Sequence, residues 1–191
     1  MENIEKIKED LKQILSEKRY IHSIGAMEKA IELAKRYGED EEKSALTALA
    51  HDIAKEMTVE EYYKYAKENN IELSKDDKMC TSVLHGIIGA DIVKKKYGFT
   101  DEMYRAIYYH TTGITNMTLL GKIVYVADKI EDSRDYPEAE ALREKFNQCE
   151  SLDEFILYDI DYYTLPKMIE KKKVIHPNTI NVRNEIIEKM K

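Results

Sequence analysis

Histidines and a neighbouring aspartate are the residues of this 191-residue chain whose types and spacing could do chemistry. Four histidines stand in separate blocks, at His22, His51, His85 and His110, and Asp52 directly follows the second of them. Imidazole nitrogens and carboxylate oxygens together suit Fe, Mn, Ni, Co or Zn, and are poorly matched to Cu(I) or an iron–sulfur cluster. The residue types therefore indicate a transition-metal site, provided that the fold brings them together.

The positions of Asp52 and Asp128 in the sequence support a shared cation site. Neighbouring residues on a helix point about 100° apart, so His51 and Asp52 can reach one ion only at a helix end, which is where the pattern places them. Asp128 lies in an apolar helical segment, where a carboxylate is costly unless it is paired or binds a cation. His176 stands directly before Pro177, and we expect a structural role or a place in a ligand-contacting loop.

Amphipathic helices are predicted to position these residues, because apolar side chains recur at helical spacing along the chain. The predicted helices cover about 2–17, 21–37, a segment capped by Asp40, a segment opened by Thr58 and Glu61, 81–97, 100–110, 118–130, 137–146, 152–172 and a last one beginning at Pro177. In an antiparallel bundle, the start of one helix lies beside the end of the next. Positions 22 and 85 lie near helix starts, and positions 51–52 and 110 lie near helix ends. We therefore expect an all-α bundle in which these residues share one pocket.

Composition and charge exclude several classes of protein. Thirty Lys and Arg against 37 Asp and Glu give a net charge of −7, so the basic surface typical of nucleic-acid binding is absent. Cys80 and Cys149 form no CxxC pair, which argues against a disulfide framework or a zinc finger and suits a reducing cytoplasm. The first residues, MENIEKIKEDLKQIL, are charged throughout and are not a signal peptide. No uncharged run is long enough to span a bilayer, so we expect a soluble, cytoplasmic protein.

Several sequence blocks carry a resemblance to a known family. They are RYIHSIGAMEKAIELAKRYGED, ALAHDIAKE, LHGIIGADIV, AIYYHTTG, MTLLGKIVYVADKIEDSRDYP and KKKVIHPNTI, and they span about residues 19–180. The order of the histidines and aspartates in them resembles the HD superfamily of metal-dependent phosphohydrolases. Within that superfamily the blocks are similar to the YqeK-type symmetrical bis(5'-nucleosyl)-tetraphosphatases. The resemblance implies one compact HD-type domain over residues 1–191, with a metal-site core at about 19–135 and C-terminal helices at about 136–191 packed on it.

The activity that this resemblance implies is hydrolysis of diadenosine tetraphosphate to two ADP by attack of a metal-bound hydroxide. Iron is the implied metal, with Mn, Co, Ni and Zn as alternatives, and one or two ions are bound. The first ion would be held by His22, His51, Asp52 and Asp128. A second ion would be held by Asp52, His85 and His110, unless the two histidines contact substrate phosphate instead.

Further site residues follow from spacing around these ligands. Lys55 lies three residues after Asp52 on the same helical face, and we expect it to act in catalysis together with Asp52, His85 and His110. Arg134 could bind two phosphate oxygens through its planar guanidinium group. The expected substrate contacts are Arg19, His85, His110, Thr111, Asp128 and Arg134.

Two other functions remain open at the level of sequence. The same metal site could serve a mononucleotide phosphohydrolase, either a phosphomonoesterase or a nucleoside triphosphohydrolase. A non-catalytic nucleotide-binding module would not need a full set of ligands around a hydrolytic water. The expected partner is a small nucleotide, with neither nucleic acid nor membrane, and the amphipathic helices would permit a homodimer.

Overall fold

Short turns join twelve α-helices in the computed structural model, which describes residues 2–191. The helices are α1 (Glu2–Ile14), α2 (Glu17–Tyr37), α3 (Glu41–Ala50), α4 (Val59–Glu68), α5 (Lys75–Met79), α6 (Leu84–Tyr97), α7 (Asp101–Tyr108), α8 (Leu119–Ile130), α9 (Ala139–Gln148), α10 (Leu152–Tyr158), α11 (Leu165–Glu170) and α12 (Pro177–Lys189). A 3-10 turn (Thr81–Val83) precedes α6, and a π-helical segment (Asp159–Thr164) joins α10 to α11. No strand occurs among residues 2–191, and the all-α prediction is confirmed.

The centre of the molecule is formed by α2, α3 and α8, which pack against one another, with α6 and α7 beside them. Helix α8 is the most apolar, and its Ile123, Val124 and Val126 are almost fully buried. Helix α3 presents small side chains such as Ala48 and Ala50 to this core, which lets neighbouring backbones approach closely. A dense apolar core therefore holds α2, α3 and α8 in place, and with them the polar side chains that these helices carry.

Local capping determines where several helices begin and end. The Asp40 carboxylate accepts a hydrogen bond from the Lys43 amide at the start of α3, and Thr58 forms a capping box with Glu61 at the start of α4. Gly38 ends α2 with a φ of 78°, a conformation that glycine adopts without steric cost. The caps predicted from sequence at Asp40 and at Thr58 with Glu61 are confirmed.

The structure differs from the sequence prediction around several boundaries. Helix α2 begins at Glu17 rather than at about residue 21, and the polar segment before residue 81 contains α5, which Ser74 and Asp77 cap reciprocally. Pro137 precedes α9, which begins at Ala139, instead of lying in its first turn. The single helix predicted over 152–172 is interrupted by the π-helical segment.

The C-terminal part packs onto the central helices. Helices α9 and α10 contact α8, and α12 contacts α10. Phe155 and Ile156 of α10 are fully buried in the same apolar cluster as α8. This packing places the π-helical segment and α11 at the edge of the central helices.

Two further observations concern the described residues. Cys80 and Cys149 are buried free thiols. None of the helices formed by residues 2–191 combines the length and the apolar character needed to cross a bilayer.

Candidate metal centre

The His51–Asp52 pair lies at the point where α3 ends. The last α-helical residue is Ala50, and His51 is the C-cap, followed by a series of turns through Glu56. Both side chains are buried, with His51 at 0% and Asp52 at 2% exposure. Because the chain leaves the helix here, these two adjacent side chains point to the same place, with His51 Nε2 3.7 Å from Asp52 Oδ1.

One group of ligand atoms forms around His22 of α2. Its Nε2 atom lies 3.2 Å from Nε2 of His51, 3.1 Å from Oδ1 of Asp128 and 3.8 Å from Oδ2 of Asp52. The distance from His51 Nε2 to Asp128 Oδ1 is 3.4 Å. The structure thus brings together all four residues predicted to hold a first ion, from α2, the end of α3 and the last turn of α8.

A second group shares Asp52 with the first. Oδ1 of Asp52 lies 3.2 Å from Nε2 of His85 and 3.5 Å from Nε2 of His110, and the two Nε2 atoms are 3.0 Å apart. His85 is the second residue of α6, and His110 follows the end of α7. Asp52 therefore connects the two groups, and the sets His22, His51, Asp52 and Asp52, His85, His110 each have the close spacing of potential metal ligands.

The outer nitrogens of three imidazoles are tied to acceptors. Nδ1 of His22 donates to Oε1 of Glu131 at 2.9 Å, Nδ1 of His51 to the Ala48 carbonyl at 2.6 Å, and Nδ1 of His110 to the Ile107 carbonyl at 2.7 Å. Carboxylate and carbonyl oxygens only accept, so the Nδ1 atoms carry the protons and the Nε2 atoms face the cluster. Histidines that bind metals are oriented by this kind of outer hydrogen bond.

The residues present fit a metal ion, and the Asp52 carboxylate is the clearest indication. Its Oδ1 atom is buried and accepts no hydrogen bond. A buried carboxylate oxygen without a hydrogen bond is costly, and its nearest side-chain nitrogens are Nε2 of His85 at 3.2 Å, with Nε2 of His110 and the Lys55 ammonium group both at 3.5 Å. A cation between them would satisfy both the carboxylate and the imidazoles.

The ionisation states of Asp52, Asp128, His85 and His110 suit ligation, whereas that of His22 does not. Burial by itself raises the pKa values of Asp52 and Asp128, but neighbouring imidazoles, and Arg134 at Asp128, hold both well below the usual range. Burial lowers the pKa of His85 to about 4, so this imidazole is neutral near pH 7. Burial also lowers the pKa of His22, but hydrogen bonds to Asp128 and Glu131 outweigh it and raise the value to about 9. His22 is therefore protonated near pH 7 before a metal binds, and a metal ion would have to displace its Nε2 proton.

Three cationic side chains border the cluster. Lys55 Nζ lies 2.9 Å from His85 Nε2 and 3.5 Å from Asp52 Oδ1. Arg19 Nη1 lies 3.5 Å from Asp52 Oδ2, and Arg134 Nη2 donates to Asp128 Oδ1 at 2.6 Å. All three were predicted from sequence to lie here, and the structure places them around the two carboxylates.

A cavity of about 500 Å³ opens onto the cluster, and we call it the tail-side cavity because C-terminal residues form one wall. Thr111 and Asp128 border it from the metal-site side, and its Thr111 Oγ1 lies 3.2 Å from His110 Nε2. Lys167 and Met168 of α11 line the opposite part. The predicted substrate contacts that border it are thus Arg19, Thr111, Asp128 and Arg134, whereas His85 and His110 lie beneath.

His176 is separate from the ligand cluster. It is the N-cap of α12, accepts a hydrogen bond from the Asn178 amide and lies 3.3 Å from Asp77 Oδ1. It also borders the tail-side cavity. The side chain therefore holds the C-terminal segment against α5.

Glu131 is the site residue that sequence reasoning missed. It is fully buried at the end of α8, and besides His22 it accepts hydrogen bonds from the amide and hydroxyl groups of Ser133. Gly25 of α2 lies against it so closely that a Cβ atom there would overlap Glu131 Oε2. The available signal was a glycine inside a helix, where it costs about 1 kcal/mol relative to alanine.

The comparisons with known proteins agree with this geometry. The HD domain family matches residues 19–132, which include every residue of both ligand groups. The chain belongs to the HD domain family. Members of this family are metal-dependent, and the predicted HD-type bundle is confirmed.

Relatives of this HD-domain protein carry a consistent name. Proteins named "Bis(5'-nucleosyl)-tetraphosphatase, symmetrical" are 36% identical in Halalkalibacterium halodurans, over 95% of this chain and 95% of the relative, and 35% identical in Bacillus subtilis, over 93% and 94%. The Staphylococcus aureus protein of the same name is 37% identical over 95% of this chain and 93% of its own. The predicted place among such HD-domain proteins is confirmed.

A solved structure is similar over nearly the whole chain. It is described as a predicted HD superfamily hydrolase involved in NAD metabolism from Clostridium acetobutylicum. The two chains are 38% identical, each is covered to 97%, and the TM-score is 0.90. The arrangement of helices is therefore shared with an HD-superfamily protein.

Proposed function

We propose that this protein is a metal-dependent hydrolase that cleaves diadenosine tetraphosphate symmetrically into two ADP. The observation that carries the proposal is the buried Asp52 carboxylate shared by two histidine groups, in a chain whose close relatives are named for this activity. No observation favours a mononucleotide phosphohydrolase or a non-catalytic binding module over it.

We assign the first ion to His22, His51, Asp52 and Asp128, and the second ligand group to Asp52, His85 and His110. Iron is the proposed metal, and Mn, Co, Ni or Zn also suit these nitrogen and oxygen ligands. A metal bound there activates water for attack on phosphorus and polarises a phosphoryl oxygen. Asp52 belongs to both sets, so its loss should disable both.

The charged side chains around the cluster would bind the phosphate chain. Arg19 and Arg134 each contact one metal-site carboxylate and border the tail-side cavity, so their remaining N–H groups can donate to phosphate oxygens. Thr111 offers a hydroxyl group beside His110. Donation from His85 and His110 to phosphate oxygens, the predicted alternative to a second ion, would require a proton on Nε2, whereas burial lowers the pKa of both imidazoles and favours neutral side chains that suit a cation.

Lys55 has a direct bearing on the number of ions. Its ammonium group lies beside both His85 Nε2 and Asp52 Oδ1, so it provides a positive charge at the second ligand group. A second ion would have to displace this contact. Metal analysis of the purified protein distinguishes the two arrangements, since one ion per chain leaves Lys55 in this role and two ions per chain exclude it.

The decisive experiment is product analysis by chromatography with the metal-loaded protein. Two ADP from each diadenosine tetraphosphate support the proposal, whereas ATP with AMP, or phosphate released from mononucleotides, would contradict it. Asp52→Ala should lower turnover at least about 1,000-fold, since it removes the shared ligand, and should reduce bound metal. The exposed Asp76→Ala variant on α5 is the matched control and should retain both.

We also propose the organisation and setting of the protein. The whole chain would form one HD-type domain, since residues of α10 share the apolar cluster of α8. The acidic net charge and two buried free thiols suit a cytoplasmic protein that does not bind nucleic acid. Tyr162 and Ile169, exposed by 72% and 66%, would contribute to a homodimer, which light scattering at several concentrations would test.

A further inference from the structure

A second cavity adjoins the metal centre. It has a volume of about 540 Å³ and lies between the start of α2, with Lys18 and Ile21, and the segment after α8, with Asp135. We call it the loop-side cavity. Its volume nearly equals the 500 Å³ of the tail-side cavity, and both fall in the range typical of small-molecule sites.

The two cavities meet at the same three side chains. Arg19, Arg134 and Tyr136 line both of them. His22 borders the loop-side cavity and Asp128 borders the tail-side cavity, and these two residues contact each other at 3.1 Å within the first ligand group. The ligand cluster, with the guanidinium groups of Arg19 and Arg134, thus lies between the two cavities and borders both.

Besides the cations Lys18, Arg19 and Arg134, the loop-side cavity has groups that suit a nucleoside. Ile21 is 48% exposed there, so an apolar side chain is available to a base, and the Tyr136 ring, which contacts Arg134 and Tyr163, forms part of the wall. The Asp135 carboxylate lies 3.6 Å from Lys18 Nζ, and its side chain is 79% exposed, so its oxygens can accept hydrogen bonds from ribose hydroxyls. The guanidinium groups, which suit phosphates, lie at the inner boundary.

We infer that the loop-side cavity binds the second nucleoside of a dinucleoside polyphosphate, while the first occupies the tail-side cavity and the phosphate chain crosses the boundary at Arg19 and Arg134. The inference rests on the proposed function. Cleavage at the middle of a symmetrical substrate requires the central phosphates to lie at the ligand cluster. Two similar cavities that begin at that cluster would accommodate the two identical ends.

ADP binding to the metal-loaded protein tests this inference, because ADP is one half of the substrate and its binding does not depend on turnover. We expect two ADP per chain by calorimetry. The double variant Ile21→Ala with Asp135→Ala should weaken one ADP at least about tenfold and raise the KM for diadenosine tetraphosphate by a similar factor. Met168→Ala should weaken the other ADP, and Ile14→Ala with Asp132→Ala is the matched control of an exposed isoleucine and aspartate.

One ADP per chain in the wild type would overturn the inference, and so would two ADP per chain that the Ile21 and Asp135 substitutions leave unchanged. The proposed function fails in a different way, by the absence of ADP among the products of diadenosine tetraphosphate. Because Ile21 and Asp135 are exposed, both substitutions leave the core intact. The free energy of unfolding, measured in urea, verifies this for each variant.

Discussion

At the scale of single residues, Asp52 joins two histidine groups that come from different helices. One carboxylate oxygen faces His22 and Arg19, and the other faces His85, His110 and Lys55. The sequence pattern identified Asp52 because a histidine precedes it at a predicted helix end. Its position between two groups depends on how the helices pack, and so only the structure displays it.

Glu131 is the residue for which we make the first prediction. Glu131→Gln should weaken metal binding by about 10- to 100-fold, because a neutral amide orients His22 Nε2 less firmly and makes it less basic. Competition with a chromogenic chelator measures the affinity. The exposed Glu140→Gln variant on α9 is the control, and equal affinities in both variants would show that packing alone orients His22.

The sequence contains little that would have revealed Glu131. A glutamate at the end of a helix is ordinarily a solvated surface residue, and nothing in its spacing distinguishes it from Glu138 or Glu140. Its burial follows from the close approach of α2 at Gly25, which is a contact between distant parts of the chain. Distant contacts of this kind are not encoded in local patterns.

At the scale of helices, those elements that local chemistry determines were predicted well. The side chains of Asp40 and Thr58 bind backbone amides within three residues, so the starts of α3 and α4 were readable from sequence. Helix α5 was missed because its five residues are too few to show apolar periodicity. The prediction of one continuous helix over 152–172 was wrong, because a π-helical segment interrupts it. The cause is a tertiary contact made by Asp159.

Asp159 anchors the π-helical segment from within the core. Its fully buried carboxylate accepts hydrogen bonds from Tyr125 of α8 at 2.7 Å and from Thr164 at 3.0 Å. Thr164 lies five residues after Asp159, which equals the spacing between hydrogen-bonded residues in a π-helix. The wider turn therefore lets one carboxylate bind its own segment and α8 together.

Removal of this anchor gives the second prediction. Tyr125→Phe should lower the free energy of unfolding by about 1–3 kcal/mol, because it removes a donor from a buried carboxylate. It should also raise KM more than it lowers kcat, since α11, which follows the segment, lines the tail-side cavity. Urea unfolding and steady-state kinetics measure these effects. Unchanged stability in Tyr125→Phe, as expected for the 72%-exposed control Tyr162→Phe, would refute the anchoring role.

At the scale of the whole molecule, the ligand groups join α2, α8 and the chain segments at the end of α3, the start of α6 and the end of α7. A ligand that binds the folded chain alone stabilises it by mass action. Metal binding should therefore stabilise the packing of the central helices as well as supply chemistry. The predicted site and the predicted bundle are consequently parts of one cooperative structure.

Metal removal gives the third prediction. At a free metal concentration about 100 times its Kd, the folded state gains about 2.7 kcal/mol, which corresponds to a rise in Tm of about 5–10 °C for a chain of this size. Calorimetry before and after chelation, and after metal is restored, measures the shift. The Tm of Asp52→Asn should change little when metal is added. A wild-type Tm that does not depend on metal would contradict the assignment of these residues as metal ligands.

The contact between Gly25 and Glu131 restricts the routes by which this protein can change. A Cβ atom at position 25 would overlap Glu131 Oε2, so the carboxylate would have to move away from its hydrogen bonds to His22 and Ser133. A substitution at position 25 therefore disturbs the carboxylate that orients His22, unless the side chain at position 131 becomes shorter as well. Natural sequences that carry a larger residue at the former position are accordingly expected to orient their first histidine by some other group.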